Sequence, residues 1–266
     1  MMGLSRQALL LAALAVWSGG CTEVGTNPDA FLAIELQAPT LPSMVQGDTL
    51  RDSTGVPVPL RVTVLNGRND TVTDAPVRFL ALDTGIVAVD SVTGLVTARD
   101  TTGQARIIAS AGALQSAPVS VIVTLSPDSL QALGATDDTL RYSLGVDSSR
   151  TLSLRLAHDS TPGVPGDSLV PVPAYLVRFA IVAPAGFPIG DSTQVMLVDD
   201  SRRGSALDTT DAQGSASRRV LVPRTLAVAP PDSLVIEATA VRQDRARSAV
   251  PGSPVRFVVH IRAGGP

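Results

Sequence analysis

The stretch Ile86 to Ala111, IVAVDSVTGLVTARDTTGQARIIASA, decides the fold. Val87 and Val89 alternate with Ala88 and Asp90, and Thr93-Gly94 turns the chain. Val96 and Ala98 lead into a second turn at Thr102-Gly103, after which Ala105, Ile107 and Ala109 alternate again. Apolar residues at every second position place one face of an extended chain against a core, and Gly beside Thr marks each reversal. The segment is expected to form a meander of three half-buried strands. It holds no group suited to chemistry, so its message is architectural.

The same pattern extends on both sides. Phe31 to Leu36 opens the series, and Val58, Leu60, Val62 and Val64 alternate with polar or bulky neighbours. Asn66-Gly67-Arg68-Asn69-Asp70 reads as a turn. Val77, Phe79 and Ala81 follow, with Arg78 on the other face, and Val119, Val121 and Val123 end the run. About seven strand candidates between Phe31 and Thr124 match the density of an immunoglobulin-like sandwich.

A second series repeats the order with longer connections. Leu152, Leu154 and Leu156 alternate, a Pro-, Gly- and Ser-rich loop spans His158 to Pro173, and Val177-Arg178-Phe179 recurs 100 residues after Val77-Arg78-Phe79. Asp208 to Val220 resembles Asp100 to Ile107, which would make Gly214 the counterpart of Gly103. Leu234, Ile236, Ala238 and Ala240 form one more strand, and Val255, Phe257, Val259 and Ile261 the last. No segment after residue 30 keeps a 3.6-residue apolar period over three turns, so little helix is expected. The expected fold is all-β: two immunoglobulin-like β-sandwich domains in tandem after a cleaved signal peptide. The limits are 1–20 for the signal, 21–30 for a tether, 31–124 for the first domain and 125–263 for the second, which carries insertions. The seam falls near Thr124 to Pro127.

Composition agrees. The chain has 266 residues, 44% of them hydrophobic and 17% charged, enough to bury a core. Aromatic residues are only 3%, which disfavours a base-stacking surface or an aromatic carbohydrate platform. The basic residues are all Arg and the net charge is −3 without a dense basic patch, so nucleic acid is not an expected partner. The absence of Lys removes Schiff-base chemistry and any Lys–Asn isopeptide crosslink.

The first residues read as a secretory signal. Arg6 supplies the positive charge, Ala8 to Trp17 the apolar segment, and Ser18-Gly19-Gly20 the small residues of a cleavage site. The apolar run is short of the about 20 residues that span a bilayer. Cys21, the one cysteine, follows at once. Gly19-Gly20-Cys21 resembles the lipobox of bacterial lipoproteins, although Ser18 stands where Leu is typical. That resemblance implies lipid attachment at Cys21, removal of the signal, and a membrane as partner. Each buried CH₂ contributes about 0.8 kcal/mol, so two or three acyl chains anchor a protein stably. Thr22, where an inner-membrane lipoprotein tends to carry Asp, implies the outer membrane. Thr22 to Ala30 is small and polar, as a tether requires.

Two phrases suggest a more specific kinship. Val89-Asp90, Gly94-Leu95-Val96-Thr97-Ala98, Gly103 and Ala105-Arg106-Ile107 resemble the bacterial immunoglobulin-like group 2 domain. Val177-Arg178-Phe179-Ala180-Ile181 with Thr210-Asp211-Ala212-Gln213-Gly214-Ser215-Ala216 resembles the group 1, invasin/intimin-type domain. Such domains are modules of adhesins, surface layers and secreted enzymes, and the resemblance brings no catalytic residues with it.

Candidates for chemistry are few. His158-Asp159-Ser160 has the residue types of a triad, but consecutive residues on an extended chain point in alternate directions, and a solvated loop is the expected reading. His260 should face outward. Two separated His and a lipidated Cys make no zinc site. Asp137-Asp138, Asp199-Asp200, Asp208 and Asp211 sit in expected loops without the spacing of a calcium loop, so no metal or other cofactor is assigned. The pairs Arg202-Arg203 and Arg218-Arg219 and the cluster Arg242/Arg245/Arg247 are expected to be solvated charges that discourage edge pairing, with contact to an anionic glycan or lipopolysaccharide as the alternative. The expected function is a non-enzymatic envelope lipoprotein acting as a spacer, scaffold or adhesive surface, with an envelope protein or glycan as partner. The alternative is a glycan- or polymer-binding accessory subunit of an envelope enzyme system.

Overall fold

A computed structural model of the chain describes residues 29–143, 147–161, 169–185, 194–223, 229–244 and 246–263. Among these residues every regular element is a β-strand. The signal, Cys21 and most of the tether lie outside the described residues.

The first group of strands is β1 (Phe31–Leu36), β2 (Ser43–Val45), β3 (Val62–Asn66), β4 (Val77–Ala81), β5 (Val87–Val89), β6 (Val96–Ala98), β7 (Gly103–Ala111), β8 (Leu114–Gln115) and β9 (Val119–Thr124). One layer runs β2-β9-β7-β4, with β2 parallel to β9 and β8 added to β7. The other layer is the β1–β3 pair and the β5–β6 hairpin, linked where Leu60 N donates to Gly94 O at 3.0 Å. Phe79, Ile107 and Val121 of the first layer meet Leu36, Leu60, Val87 and Val96 of the second in one core.

The second group is β10 (Ser129–Leu133), β11 (Asp137–Tyr142), β12 (Leu152–Asp159), β13 (Leu169–Pro171), β14 (Leu176–Ala183), β15 (Met196–Val198), β16 (Leu207–Thr209), β17 (Ser215–Leu221), β18 (Ser233–Thr239) and β19 (Val255–Ala263). One sheet runs β10-β12-β17-β15 with β13 on β12, and the facing sheet runs β11-β19-β18-β14-β16. Here too the second strand, β11, pairs in parallel with the last, β19. Leu152, Leu154 and Leu156 face Phe179, Ile236 and Phe257 across the core.

Both groups are therefore immunoglobulin-like sandwiches. In each, the first strand joins one sheet and the second crosses to run parallel to the last strand in the other. The order β2-β9-β7-β4 recurs as β11-β19-β18-β14. The register recurs as well: Phe79 lies opposite Ala109, and Phe179 opposite Ala238. A ring beside a methyl group keeps the space between the layers evenly filled.

This register corrects two expectations. Strand β7 corresponds to β18, not to β17, which lies in the opposite sheet between β12 and β15. Gly103 and Gly214 are thus not counterparts; similar words precede them because each chain segment turns before entering a strand. Nor is Ile86–Ala111 a meander. Strands β5 and β6 pair with each other, whereas β7 crosses to the other layer and lies between β4 and β9. The three strands and their buried faces are as expected: Val87, Val96, Ala105, Ile107 and Ala109 are fully buried.

The chain passes from one sandwich to the other through Thr124–Asp128, and this passage is pinned from both sides. Thr124 O accepts from Gln46 N at 2.8 Å, and Pro127 O accepts from Arg242 Nε at 3.3 Å. Val45 and Leu125 pack against the second core.

Candidate functional site

Where the sandwiches meet they leave a cleft of about 350 Å³. The first sandwich contributes Leu41, Asp52 and Ser53, and the second contributes Tyr175, Arg178, Leu207, Val241, Arg242, Gln243 and Arg247 among others. Its position follows from the strands. Arg178 and Thr239 are cross-strand neighbours on β14 and β18, and Leu207 of β16 stands opposite Arg178 on the other side.

Tyr175 holds the wall in shape. Its hydroxyl donates to Val241 O at 2.9 Å and accepts from Gln243 N at 2.9 Å, while its own N–H donates to Thr210 Oγ1 at 2.9 Å. Burial pushes the phenol pKa up, so it stays a neutral donor. The side chain is only 1% exposed, so its ring offers no stacking surface to a ligand.

The turn on the opposite wall is built around Asp52. Its carboxylate accepts from Thr54 Oγ1 at 2.6 Å, Thr54 N at 2.8 Å and Val56 N at 3.0 Å. These donors, the Thr54 hydroxyl first, hold Asp52 below the usual carboxylate range. Arg247 crosses from the second sandwich and its Nη1 donates to Ser53 O. Beside it Asp48 grips Arg51 through contacts of 2.8 and 2.9 Å, and Asp244 of the second sandwich adds a further attraction that keeps Arg51 protonated.

Other residues singled out from sequence take quieter places. His158 is on β12, not in a solvated loop. Its Nδ1 lies 2.9 Å from Ser126 O and 3.1 Å from Asp128 Oδ2, and because a carbonyl only accepts, Nδ1 carries the proton. Asp159 turns away: its N–H donates to Asp128 Oδ1 at 2.6 Å, and its carboxylate accepts from Thr161 N at 3.0 Å. His158 and Asp159 therefore fasten the passage between sandwiches and do not form a base and its orienter. His260 sits between fully or nearly buried Val259 and Ile261 and faces outward, 3.6 Å from Asp137 Oδ2.

Two groups of expected surface charges lie elsewhere. Asp137 and Asp138 begin strand β11, and Asp138 is buried against Arg150, whose Nε donates at 2.8 Å. Arg218 is only 6% exposed. It lies on β17 with its guanidinium 3.0 Å from Asp208 Oδ2 and 5.8 Å from the centre of the Phe179 ring. Asp208 itself is on β16, not in a loop. Asp211 caps its turn by accepting from Gln213 N at 2.9 Å and Ser215 N at 2.8 Å. Arg245 lies outside the described residues. Among the described residues no three His, Cys, Asp or Glu side chains gather as a metal would need.

No protein-family model matches the chain, and no curated protein does. Solved structures similar to it include the Yersinia pseudotuberculosis adhesin InvE, 18% identical with a TM-score of 0.34 over 85% of this chain and 58% of that one. Domains 1–6 of the surface layer protein SbsC are 15% identical, with a TM-score of 0.32 over 90% of this chain and 29% of theirs. The D00-D0 domains of intimin are 12% identical, with a TM-score of 0.28 over 86% of this chain and 99% of theirs. The chain spans little more than half of the adhesin it matches. Its architecture rests on its own strand pairing.

Proposed function

We propose that this chain is a non-enzymatic, lipid-anchored protein of the bacterial cell envelope, in which two immunoglobulin-like domains, 31–124 and 125–263, act as a spacer or adhesion module. The observation that carries this reading is where the chain enters and leaves. Phe31 pairs with Asn66 and lies near Gly112, just past the end of β7, whereas Thr124 lies at the other end of the sandwich, beyond Gly103 and its partner Val123. In the second sandwich Val255 starts β19 opposite Ala238, near the passage, and Ala263 ends it beside Tyr142 at the far pole. A chain entering at one pole and leaving at the other suits modules strung in series outward from an anchor upstream of Phe31. The domain phrases support the same reading: Gly94 and Leu95 close the turn and Val96 to Ala98 form the returning arm of the β5–β6 hairpin, and Val177 to Ile181 lies on β14.

The anchor is tested at Cys21. In cells growing with radiolabelled palmitate, the wild-type chain should take up label and sediment with outer membranes. Cys21→Ala should remain unlabelled and soluble. A Cys21→Ala protein that stays in the membrane fraction at the wild-type level would show that another segment holds it there.

A further inference from the structure

We infer that the cleft between the two sandwiches is a binding site for a peptide segment that carries a carboxylate beside an aliphatic side chain. The sign of the ligand follows from which polar groups of the wall are already engaged. Asp52, the acid among the described lining residues, accepts from Thr54 and Val56 at Oδ1, and its one negative charge is outnumbered by the lining Arg178, Arg242 and Arg247. Arg247 is engaged with Ser53 O. Arg178 and Arg242 are not so engaged: no carboxylate among the described residues lies within 4.0 Å of either guanidinium. Among the described residues the Arg242 guanidinium makes one long bond, 3.3 Å to Pro127 O. Gln243, only 9% exposed in the same wall, buries its Nε2 without a hydrogen-bond partner among the described residues. Apart from Asp52 Oδ2 the groups left over are donors, and two of them are cations. Such a wall selects an acceptor with negative charge, and a guanidinium fork matches a carboxylate.

The rest of the wall decides what accompanies that charge. Leu41, Leu176, Leu207 and Val241 provide aliphatic surface, and Leu207 and Val241 are exposed, at 48% and 37%. A sugar ring favours a flat aromatic platform. The one aromatic residue in this wall, Tyr175, is buried. An aliphatic side chain covers Leu207 and Val241 while its neighbouring carboxylate reaches Arg178 and Arg242. The volume of about 350 Å³ accommodates one or two residues of such a segment. Edge strand β16 runs past the opening and offers backbone groups to a peptide in extended form.

The inference does not depend on the anchor, because Cys21→Ala leaves the cleft unchanged. The test uses the full chain in non-ionic detergent. A peptide carrying fluorescein on its N-terminal amine, fluoresceinyl-Leu-Asp-Leu-Glu-Leu-amide, is titrated by anisotropy beside its twin with Asn and Gln, and beside labelled oligogalacturonate. The acidic peptide should bind saturably and lose affinity as salt rises. Arg178→Gln and Arg242→Gln should each weaken it about tenfold, while Arg141→Gln, on the outer strand β11, leaves it unchanged. Circular dichroism melts of Arg178→Gln should superimpose on wild type, and Arg242→Gln, which gives up only the 3.3 Å bond to Pro127 O, should melt within a few degrees of it. The inference is overturned by no saturable binding at 1 mM peptide, by equal binding of the Asn/Gln twin, or by a Kd unmoved in the Arg178→Gln/Arg242→Gln double variant. Tighter binding of oligogalacturonate than of the peptide would overturn it in favour of an acidic glycan.

Discussion

The guanidinium of Arg247, in the second sandwich, donates to the backbone carbonyl of Ser53 in the first. Its aliphatic stem lies over Gly55 so closely that a Cβ there would stand 3.0 Å from Arg247 Cγ and Cδ. Gly55 also has φ +83°, where a side chain is strained in any case. One arginine thus couples the sandwiches through a turn built to receive it. Arg247→Ala should leave the unfolding free energy within about 1 kcal/mol of wild type, because the lost bond is partly solvated. It should still widen the spread of angles between the sandwiches. Small-angle scattering would detect this as a broader maximum-dimension profile, and an unchanged profile would assign the rigidity to Leu125 and Val45 instead.

Arg218 should behave as a core residue. Truncation to Ala removes its packing on Phe179 and its partnership with Asp208, and should destabilise the protein by about 2–4 kcal/mol in urea unfolding. Arg218→Met keeps the stem and volume and should cost less than the Ala variant. Equal losses would mean that the charge, not the packing, carries the effect.

Acid should weaken the fold through a definable set of carboxyls. Burial opposes ionisation of Asp138, but the Arg150 guanidinium and the N–H groups of Arg150 and Thr139 outweigh it, and its pKa lies below the ordinary value. Asp83 is lowered by Arg106, and Asp90 by the N–H groups of Thr93 and Val92. A carboxyl with a depressed folded-state pKa contributes stability above its unfolded value, about 3.9, and loses it as pH falls through the folded value. The thermal midpoint should therefore drop below about pH 4. Asp138→Asn should start lower at neutral pH and fall less steeply in acid. An acid limb parallel to wild type would place the linkage elsewhere.

Gly214 admits no side chain. Its φ is +72°, and a Cβ would lie 2.3 Å from Leu156 O, with the backbone of Val172 close behind. Gly214→Ala should cost at least about 2 kcal/mol, whereas Gly85→Ala, with open space around it, should stay within about 0.5 kcal/mol. Paired urea melts compare the two directly.

The strands with the cleanest alternation were legible from sequence: Val77–Ala81, Gly103–Ala111, Leu152–Leu156 and Val255–Ile261 all lie in strands whose inward residues alternate with more exposed ones, while Phe31–Leu36 is a strand that buries only Leu36. Alternation is a local consequence of one wet and one dry face, so it survives without knowledge of partners. Strands β10 and β11 escaped notice because Ser129–Leu133 is short, with only Leu130 buried, and Asp137–Tyr142 opens on two acids and carries Arg141. The candidate cleft was barely foreshadowed. Its residues come from Leu41 to Arg247, and the arginines that line it look in sequence like any other surface charges.

By itself the sequence determined that this is an all-β chain with two repeated modules and which apolar residues of its alternating strands face inward, since side-chain polarity at period two is written residue by residue. Only the tertiary structure decided which strand lies beside which. The Asp-Thr-Thr words before Gly103 and after Leu207 promise equivalent strands, yet β7 and β17 enter opposite layers because their pairing depends on residues far along the chain. The same long-range pairing buries Arg218, fastens His158 to the passage, and brings Arg178 and Arg242 to one cleft. Charge is local, but whether a charge meets water, a carboxylate or a ring is settled only when distant strands come together.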